Sequence, residues 1–168
     1  MSDKKKIRLN LSFADLLRQP VHFLAFGLGS GLSPKAPGTV GTLAAIPFAY
    51  GLLQLSPVFQ LMIIVAAFLL GIYFCEKTAN DLGVNDYGGI VWDEFVGYWI
   101  AVCAFPLSWQ TLLIGFVFFR IYDVLKPWPI SWLDKKIHGG LGIMLDDVLA
   151  GVFAWLAMFA LNTLVLSG

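Results

Sequence analysis

Apolar runs and polar stretches alternate along the chain. The apolar runs cover residues 43–53, 58–75, 90–105, 110–125 and about 143–166. The polar stretches between the longer blocks all contain glycine or proline; they are GLGSGLSPKAPGTVGT (27–42), EKTANDLGVNDYGG (76–89) and KPWPISWLDKKIHGG (126–140). Continuous apolar runs of about ten or more residues, bounded by such breakers, predict helices.

Two short links join these runs into pairs. QLSP (54–57) joins the first two runs, and the third and fourth are joined near PLSW (106–109). An upright transmembrane helix needs about 20 residues, so the first run is too short, two others are marginal, and residues 148–166 are sufficient. We therefore predict an all-α fold: a compact multi-helix membrane bundle with two short helical hairpins, residues 43–75 and 90–125, and a C-terminal transmembrane helix.

Composition supports membrane embedding. The chain is 58% hydrophobic and only 13% charged, whereas soluble domains carry roughly 25% charged residues. Residues 20–168 are predicted to form a single helical membrane-embedded domain. Residues 1–19 are predicted to form a basic amphipathic tail at the membrane surface, with a solvated tail as the alternative; its cations are Lys4, Lys5, Lys6 and Arg8. Since the net charge is zero, we expect no nucleic-acid partner.

The hairpin arrangement places the lysines of the polar stretches on one face. They are Lys35, Lys77, Lys126, Lys135 and Lys136. Positively charged loops favour the cytoplasmic side of a membrane. We therefore predict a multi-pass protein with this face directed to the cytoplasm.

Six ionisable residues lie within or at the edges of the apolar runs. They are Asp93, Glu94, Arg120, Asp123, Asp146 and Asp147. The second hairpin carries four of them and the start of the last helix carries Asp146 and Asp147, which brings all six to one shallow layer near the cytoplasmic edge, at the depth of lipid phosphates. Ionisable groups in membrane segments are costly and usually functional. A small transporter or channel for a phosphorylated solute is the alternative, but it would spread its charges through the bilayer.

The residue types in this layer predict phosphate chemistry with a hard cation. Carboxylates without His or Cys clusters favour Mg²⁺, which typically binds one or two carboxylates, several waters and substrate phosphate oxygens. Lys35, Arg120 and Lys126 supply positive charge, and the 37–42 loop supplies amides and a helix N-terminus for an anion. Asp146 and Asp147 lie about 100° apart on a helix, so we expect only one of them to bind the metal directly.

Three sequence blocks resemble the phosphatidylglycerophosphatase A family. They are GLGSGLSPKAPGTVGTLAAIP, NDYGGIVWDEFVGYW and FRIYDVLKPWPISWLDKKIHGGLGIMLDDVLAG, in this order between about residues 20 and 155. The resemblance implies an all-helical, Mg²⁺-dependent enzyme of the bacterial inner membrane. It would hydrolyse the lipid phosphatidylglycerophosphate to phosphatidylglycerol and inorganic phosphate.

The candidate site residues fall into three predicted roles. The candidate metal ligands are Glu94, Asp123 and one of the pair Asp146 and Asp147, with Asp93 in or next to the coordination shell. The catalytic residues are Asp93, Asp123, Asp147 and His138, the last as the acid that protonates the leaving oxygen. The phosphate-binding residues are Lys35, Thr39, Arg120 and Lys126. Whether water or an aspartate carboxylate attacks the phosphorus stays open at this point.

Overall fold

The computed structural model describes residues 11–84 and 87–166, and all secondary structure in these ranges is helical. The helices are α1 (Phe13–Leu17), α2 (Pro20–Ala25), α3 (Pro37–Leu52), α4 (Pro57–Asp81), α5 (Trp92–Val102), α6 (Trp109–Leu125), α7 (Ile130–Lys136) and α8 (Gly139–Leu166), with a 3-10 segment at Gly27–Leu32. The all-α prediction is confirmed. The four cations of the predicted tail lie outside the described residues.

The helix boundaries differ from the apolar runs where local capping decides them. Helix α3 begins at Pro37, inside the polar stretch, because proline suits the first helical position, where its missing N–H is not needed. Helix α4 continues to Asp81, beyond the apolar run. The two links remain where they were predicted, but α3 packs against α5 and the 3-10 segment rather than chiefly against α4.

Helices α3, α5 and α8 begin at the end of the bundle where α4 and α6 finish. The Trp92 indole donates to the Ala67 carbonyl at 3.0 Å, and Gln60 Oε1 accepts from the Ala104 amide at 2.8 Å. Helices α4 and α5 are therefore antiparallel. The first turn of α3 meets α5 and the C-terminal part of α6 at Gly38, and the first turn of α8 meets α4 at Gly140. The N-termini of α3, α5 and α8 therefore lie with the C-terminal parts of α4 and α6 at one end, which we call the site end.

Glycines allow α5 and α8 to cross at very close range. A Cβ atom on Gly97 would lie 2.6 Å from the backbone oxygen of Asp147, and one on Gly151 would lie 2.3 Å from the backbone oxygen of Gly97. Neither distance is tolerable for a real side chain, so both positions require glycine. This contact sets the rotation of α8 relative to α5, and with it the direction in which Asp147 points.

At the opposite end, one buried glutamine holds the two links together. Gln60 is 2% exposed; its amide nitrogen donates to the Leu55 carbonyl at 2.9 Å while its oxygen accepts from Ala104. Buried backbone groups in links need such partners because no water satisfies them. Gln60 thereby fixes the register of both helix pairs.

Helices α4 and α8 are long and apolar enough to cross a membrane. Only 33% of the most apolar window of α4 is buried within the protein. Its outward face carries Val58, Phe59, Met62, Val65, Leu69 and Leu70, each more than one-third exposed. An apolar surface of this extent is typical of contact with lipid, so the protein is membrane-associated.

Candidate active site

Three carboxylates converge at the site end. Asp93 and Glu94 lie in the first turn of α5, and Asp147 lies on α8, held against α5 by the glycine contact. One oxygen from each of the three lies within 4.8 Å of the others. Asp93 Oδ1, Glu94 Oε2 and Asp147 Oδ2 are buried and have no hydrogen-bond partner among the described residues. We call these residues the carboxylate trio.

Two further acids beside the trio are each paired with a cation. The Arg120 guanidinium contacts the Asp123 carboxylate one turn away on α6, although its Nη1–H is not aligned for a hydrogen bond. Lys126 contacts the Asp146 carboxylate. Asp123 is also adjacent to Asp147. The trio, by contrast, has no cationic partner of this kind in the described part of the chain, and buried anions without compensation are costly.

Lys126 links three elements around the site. It lies at the C-terminal end of α6, and its ammonium binds Asp146 on α8 and Asp134 on α7, the latter at 3.1 Å. Burial alone would lower the pKa of Lys126, but the carboxylates of Asp146 and Asp134 outweigh it and hold that pKa above its usual range. Lys126 therefore remains an ammonium at neutral pH.

The N-terminus of α3 forms the wall opposite the trio. A Cβ atom on Gly38 would lie 2.3 Å from Glu94 Oε1 and 3.3 Å from Arg120 Nη1. Only glycine lets the backbone approach this closely. The first turn of α3, which includes half-buried Thr39, thus lies beside both a trio oxygen and the Arg120 guanidinium. A helix N-terminus next to a guanidinium is suited to a phosphate.

The structure places some of the predicted site residues at the trio and others away from it. Asp147 belongs to the trio, whereas its neighbour Asp146 is turned to Lys126. Lys35 is exposed in the loop before α3, and its carbonyl accepts from Ser33 at 2.8 Å. His138 is exposed before α8 and makes no hydrogen bond or ion pair with the described residues. Its predicted role and those of the other site residues stay predictions.

Sequence reasoning overlooked two contributors. Asp134 shares Lys126 with Asp146, but nothing in the local sequence distinguishes it from an ordinary surface acid of α7. Gly38 was considered only as part of a loop that supplies amides. Its adjacency to Glu94 depends on how α3 and α5 pack, although the run of glycines at 38 and 41 is a signal for close approach of the backbone.

The fold and the site define a membrane-associated helical protein with an acidic centre and an anion-compatible wall at one end of its bundle. The model of the family described as Phosphatidylglycerophosphatase A matches residues 23–162. The chain therefore belongs to the phosphatidylglycerophosphatase A family and is a phosphatase. The family resemblance inferred from the sequence blocks is confirmed.

Named relatives extend over nearly the whole chain. The Phosphatidylglycerophosphatase A of Escherichia coli (strain K12) is 50% identical over 153 residues, covering 90% of this chain and 86% of the relative. That of Haemophilus influenzae is 51% identical over 148 residues, covering 87% and 91%. A Bacteroides thetaiotaomicron protein, provisionally named a phosphatidylinositol-3-phosphatase, is 38% identical over 138 residues, covering 77% and 86%. No solved structure matches the chain.

Proposed function

We propose that this protein hydrolyses the phosphomonoester of phosphatidylglycerophosphate, releasing phosphatidylglycerol and inorganic phosphate. In this reaction a water oxygen bonds to phosphorus, the bond from phosphorus to the glycerol oxygen breaks, and that oxygen takes a proton. The carboxylate trio beside the α3 N-terminus and Arg120 carries the proposal, because it combines a cation site with a phosphate site. The names of the Escherichia coli and Haemophilus influenzae relatives support the choice of lipid.

We propose Mg²⁺ as the cofactor, held by Asp93, Glu94 and Asp147. Their buried, partnerless oxygens are the hard ligands that this ion prefers. When bound, the ion supplies Lewis acidity toward the phosphate oxygens. Asp123 and Asp146, the other predicted ligands, lie at the margin of the trio with their own cations. In that position they orient Arg120 and Lys126.

Side chains and backbone amides of the protein bind the phosphoryl group and supply the proton that the reaction needs. Arg120 and the first-turn amides of α3 bind the non-bridging oxygens of the phosphoryl group and stabilise the charge that develops there. Lys126, bound to Asp146 beside the trio, adds a second positive charge. The leaving oxygen needs a proton donor, and His138 is the predicted one. General-acid catalysis contributes about 10²–10⁴-fold, so His138→Ala should lower kcat by that factor; an unchanged kcat would remove His138 from the mechanism.

We propose that the site end faces the cytoplasm of a multi-pass inner-membrane protein. Lys35, Lys126 and the two lysines that end α7 all belong to segments at this end. The concentration of the described acids at one end also fits a surface enzyme better than a transport pathway. Cysteine labelling of Lys135→Cys from either side of membrane vesicles tests the orientation; labelling only from the periplasmic side would reverse it.

The central experiment is phosphate release by purified protein with and without Mg²⁺. Phosphatidylglycerophosphate, phosphatidic acid and phosphatidylinositol 3-phosphate serve as substrates, since the relatives carry different substrate names. Glu94→Gln and Asp147→Asn should each lose about 10²–10³-fold in kcat and weaken Mn²⁺ binding measured by electron paramagnetic resonance. Asp15→Asn, an exposed acid that caps α1, is the control. Full activity in either trio variant would refute that residue's role.

The same preparation distinguishes the two forms of attack. Acid quenching during turnover of substrate labelled in its terminal phosphate traps an aspartyl-phosphate if a carboxylate is the nucleophile. Absence of labelled protein, with labelled phosphate still released, indicates direct attack by water.

A further inference from the structure

Two apolar grooves lie on the flanks of the bundle, away from the carboxylates. The first, of about 250 Å³, lies between α3, α4 and α5 and is lined by Phe48, Gly51, Leu52, Leu55, Ile63 and Trp99. The second, of about 270 Å³, lies between α4, α5 and α8, and its lining includes Leu61, Ile64, Ile100, Cys103, Val152 and Trp155. We call them the α3 groove and the α8 groove. Neither is lined by a charged side chain.

Both grooves lie at one depth below the carboxylate trio. Trp99 and Ile100 follow Glu94 by five and six residues on α5, and Val152 follows Asp147 by five on α8. At a rise of about 1.5 Å per residue, the upper walls of both grooves are roughly 8 Å below the trio. The headgroup layer of one leaflet is about 5–7 Å thick. The reacting phosphate is the terminal one, so a glycerol and a phosphodiester separate it from the acyl chains. The chains of a lipid whose terminal phosphate lies at the trio therefore begin below the upper walls, within the depth that the α8 groove spans down to Cys103.

The arrangement of the grooves also matches a lipid with two chains. They flank the same segment of α4: Ile63 lines one groove, while Leu61 and Ile64 line the other. Helix α5 contributes to both and carries Asp93 and Glu94 at its start. The helices that hold the reacting phosphate thus continue directly into the walls of the two grooves.

We propose that the α3 and α8 grooves hold the two acyl chains of the lipid substrate, and this inference rests on the proposed lipid phosphatase activity. The bilayer is as apolar as the grooves, so burial of a chain there adds little affinity within a membrane. The grooves instead orient the lipid so that its headgroup phosphate reaches the trio. A misplacement of about 1 Å at a reacting centre costs roughly 10²-fold in rate, so this orientation determines selectivity among lipids.

The contribution of the grooves to substrate binding can be measured with short-chain substrates that are monomeric in water. The purified protein is assayed on a series of glycerophospholipid monoesters from dibutanoyl to dioctanoyl, each below its critical micelle concentration. Each methylene that leaves water for a groove raises kcat/KM by up to about fourfold. The wild type should therefore show kcat/KM rising steeply with chain length.

Filling a groove should remove this dependence. A Cβ atom on Gly51 meets no atom within 4 Å, so Gly51→Leu fills the α3 groove, while Gly51→Ala leaves most of it open. Val152→Phe fills the α8 groove, and Leu161→Phe, an exposed residue about 180° around the same helix, is its control. We expect each filled variant to lose roughly tenfold in kcat/KM on the dioctanoyl lipid while hydrolysing the dibutanoyl lipid at the wild-type rate.

The outcomes separate the two proposals. If kcat/KM rises with chain length in both filled variants as it does in the wild type, the proposed role of the grooves is refuted but the proposed phosphatase activity is not. Phosphate release from none of the substrates by the wild type overturns the proposed function itself. A third measurement needs no variant: a phosphonate lipid with a diazirine near the start of one acyl chain should crosslink to groove residues. Crosslinks confined to the outward face of α4, at residues such as Phe59 or Leu69, would also refute the proposal.

Discussion

Replacing Gly38 by alanine should reduce the activity strongly while changing the stability of the protein little. In Gly38→Ala the new Cβ would lie 2.3 Å from Glu94 Oε1, and the shortest ordinary contact for a Cβ is 3.4 Å. The Glu94 carboxylate must therefore move by about 1 Å. The atom that moves is the end of a flexible side chain, so an off-rotamer cost of about 0.5–1.5 kcal/mol is expected. Replacing glycine by alanine in a helix offsets about 0.4–1 kcal/mol of that cost.

The net change in the free energy of unfolding should therefore stay within about 1 kcal/mol. Activity should respond very differently, because displacement of a catalytic group by about 1 Å costs roughly 10²-fold in kcat/KM. The assay pairs phosphate release with thermal unfolding of the same detergent-solubilised preparation. Gly51→Ala, on the same helix but facing open space, is the matched control. It should gain about 0.4–1 kcal/mol of stability and keep its activity on a long-chain lipid. Wild-type activity in Gly38→Ala would show that Glu94 is not held where the reaction needs it.

Two further predictions concern the scaffold around the site. Gln60→Leu leaves the Ala104 amide and the Leu55 carbonyl buried without partners. Each unpaired group lowers the free energy of unfolding by about 1–3 kcal/mol, which denaturant unfolding would show as a lower midpoint concentration. Unchanged stability would contradict the role of Gln60. Gly151→Ala places a Cβ 2.3 Å from the backbone oxygen of Gly97. Backbone cannot yield as a side chain does, so we expect a loss of about 1–3 kcal/mol together with reduced phosphate release, and a fully active, equally stable variant would disprove the close α5–α8 contact.

The helical class and the kind of chemistry follow from the sequence because both depend on local content. Apolar runs of ten or more residues bounded by glycine and proline favour helices, and the outward faces of such helices suit lipid. The shallow layer of acids was also evident from the chain, since position along a helix translates directly into depth. The three sequence blocks add the family, to which the chain belongs over residues 23–162.

Which acids meet is a property of the tertiary structure alone. Asp146 and Asp147 are neighbours in the chain, yet one contacts Lys126 and the other joins Asp93 and Glu94. Their separation is a matter of rotation about the α8 axis, which the glycine contact between α5 and α8 determines. The same holds for the wall opposite the trio, formed where α3 starts, and for the pairing of Lys126 with an acid of α7. Sequence records the order and depth of side chains, whereas only packing between helices decides the directions in which they point.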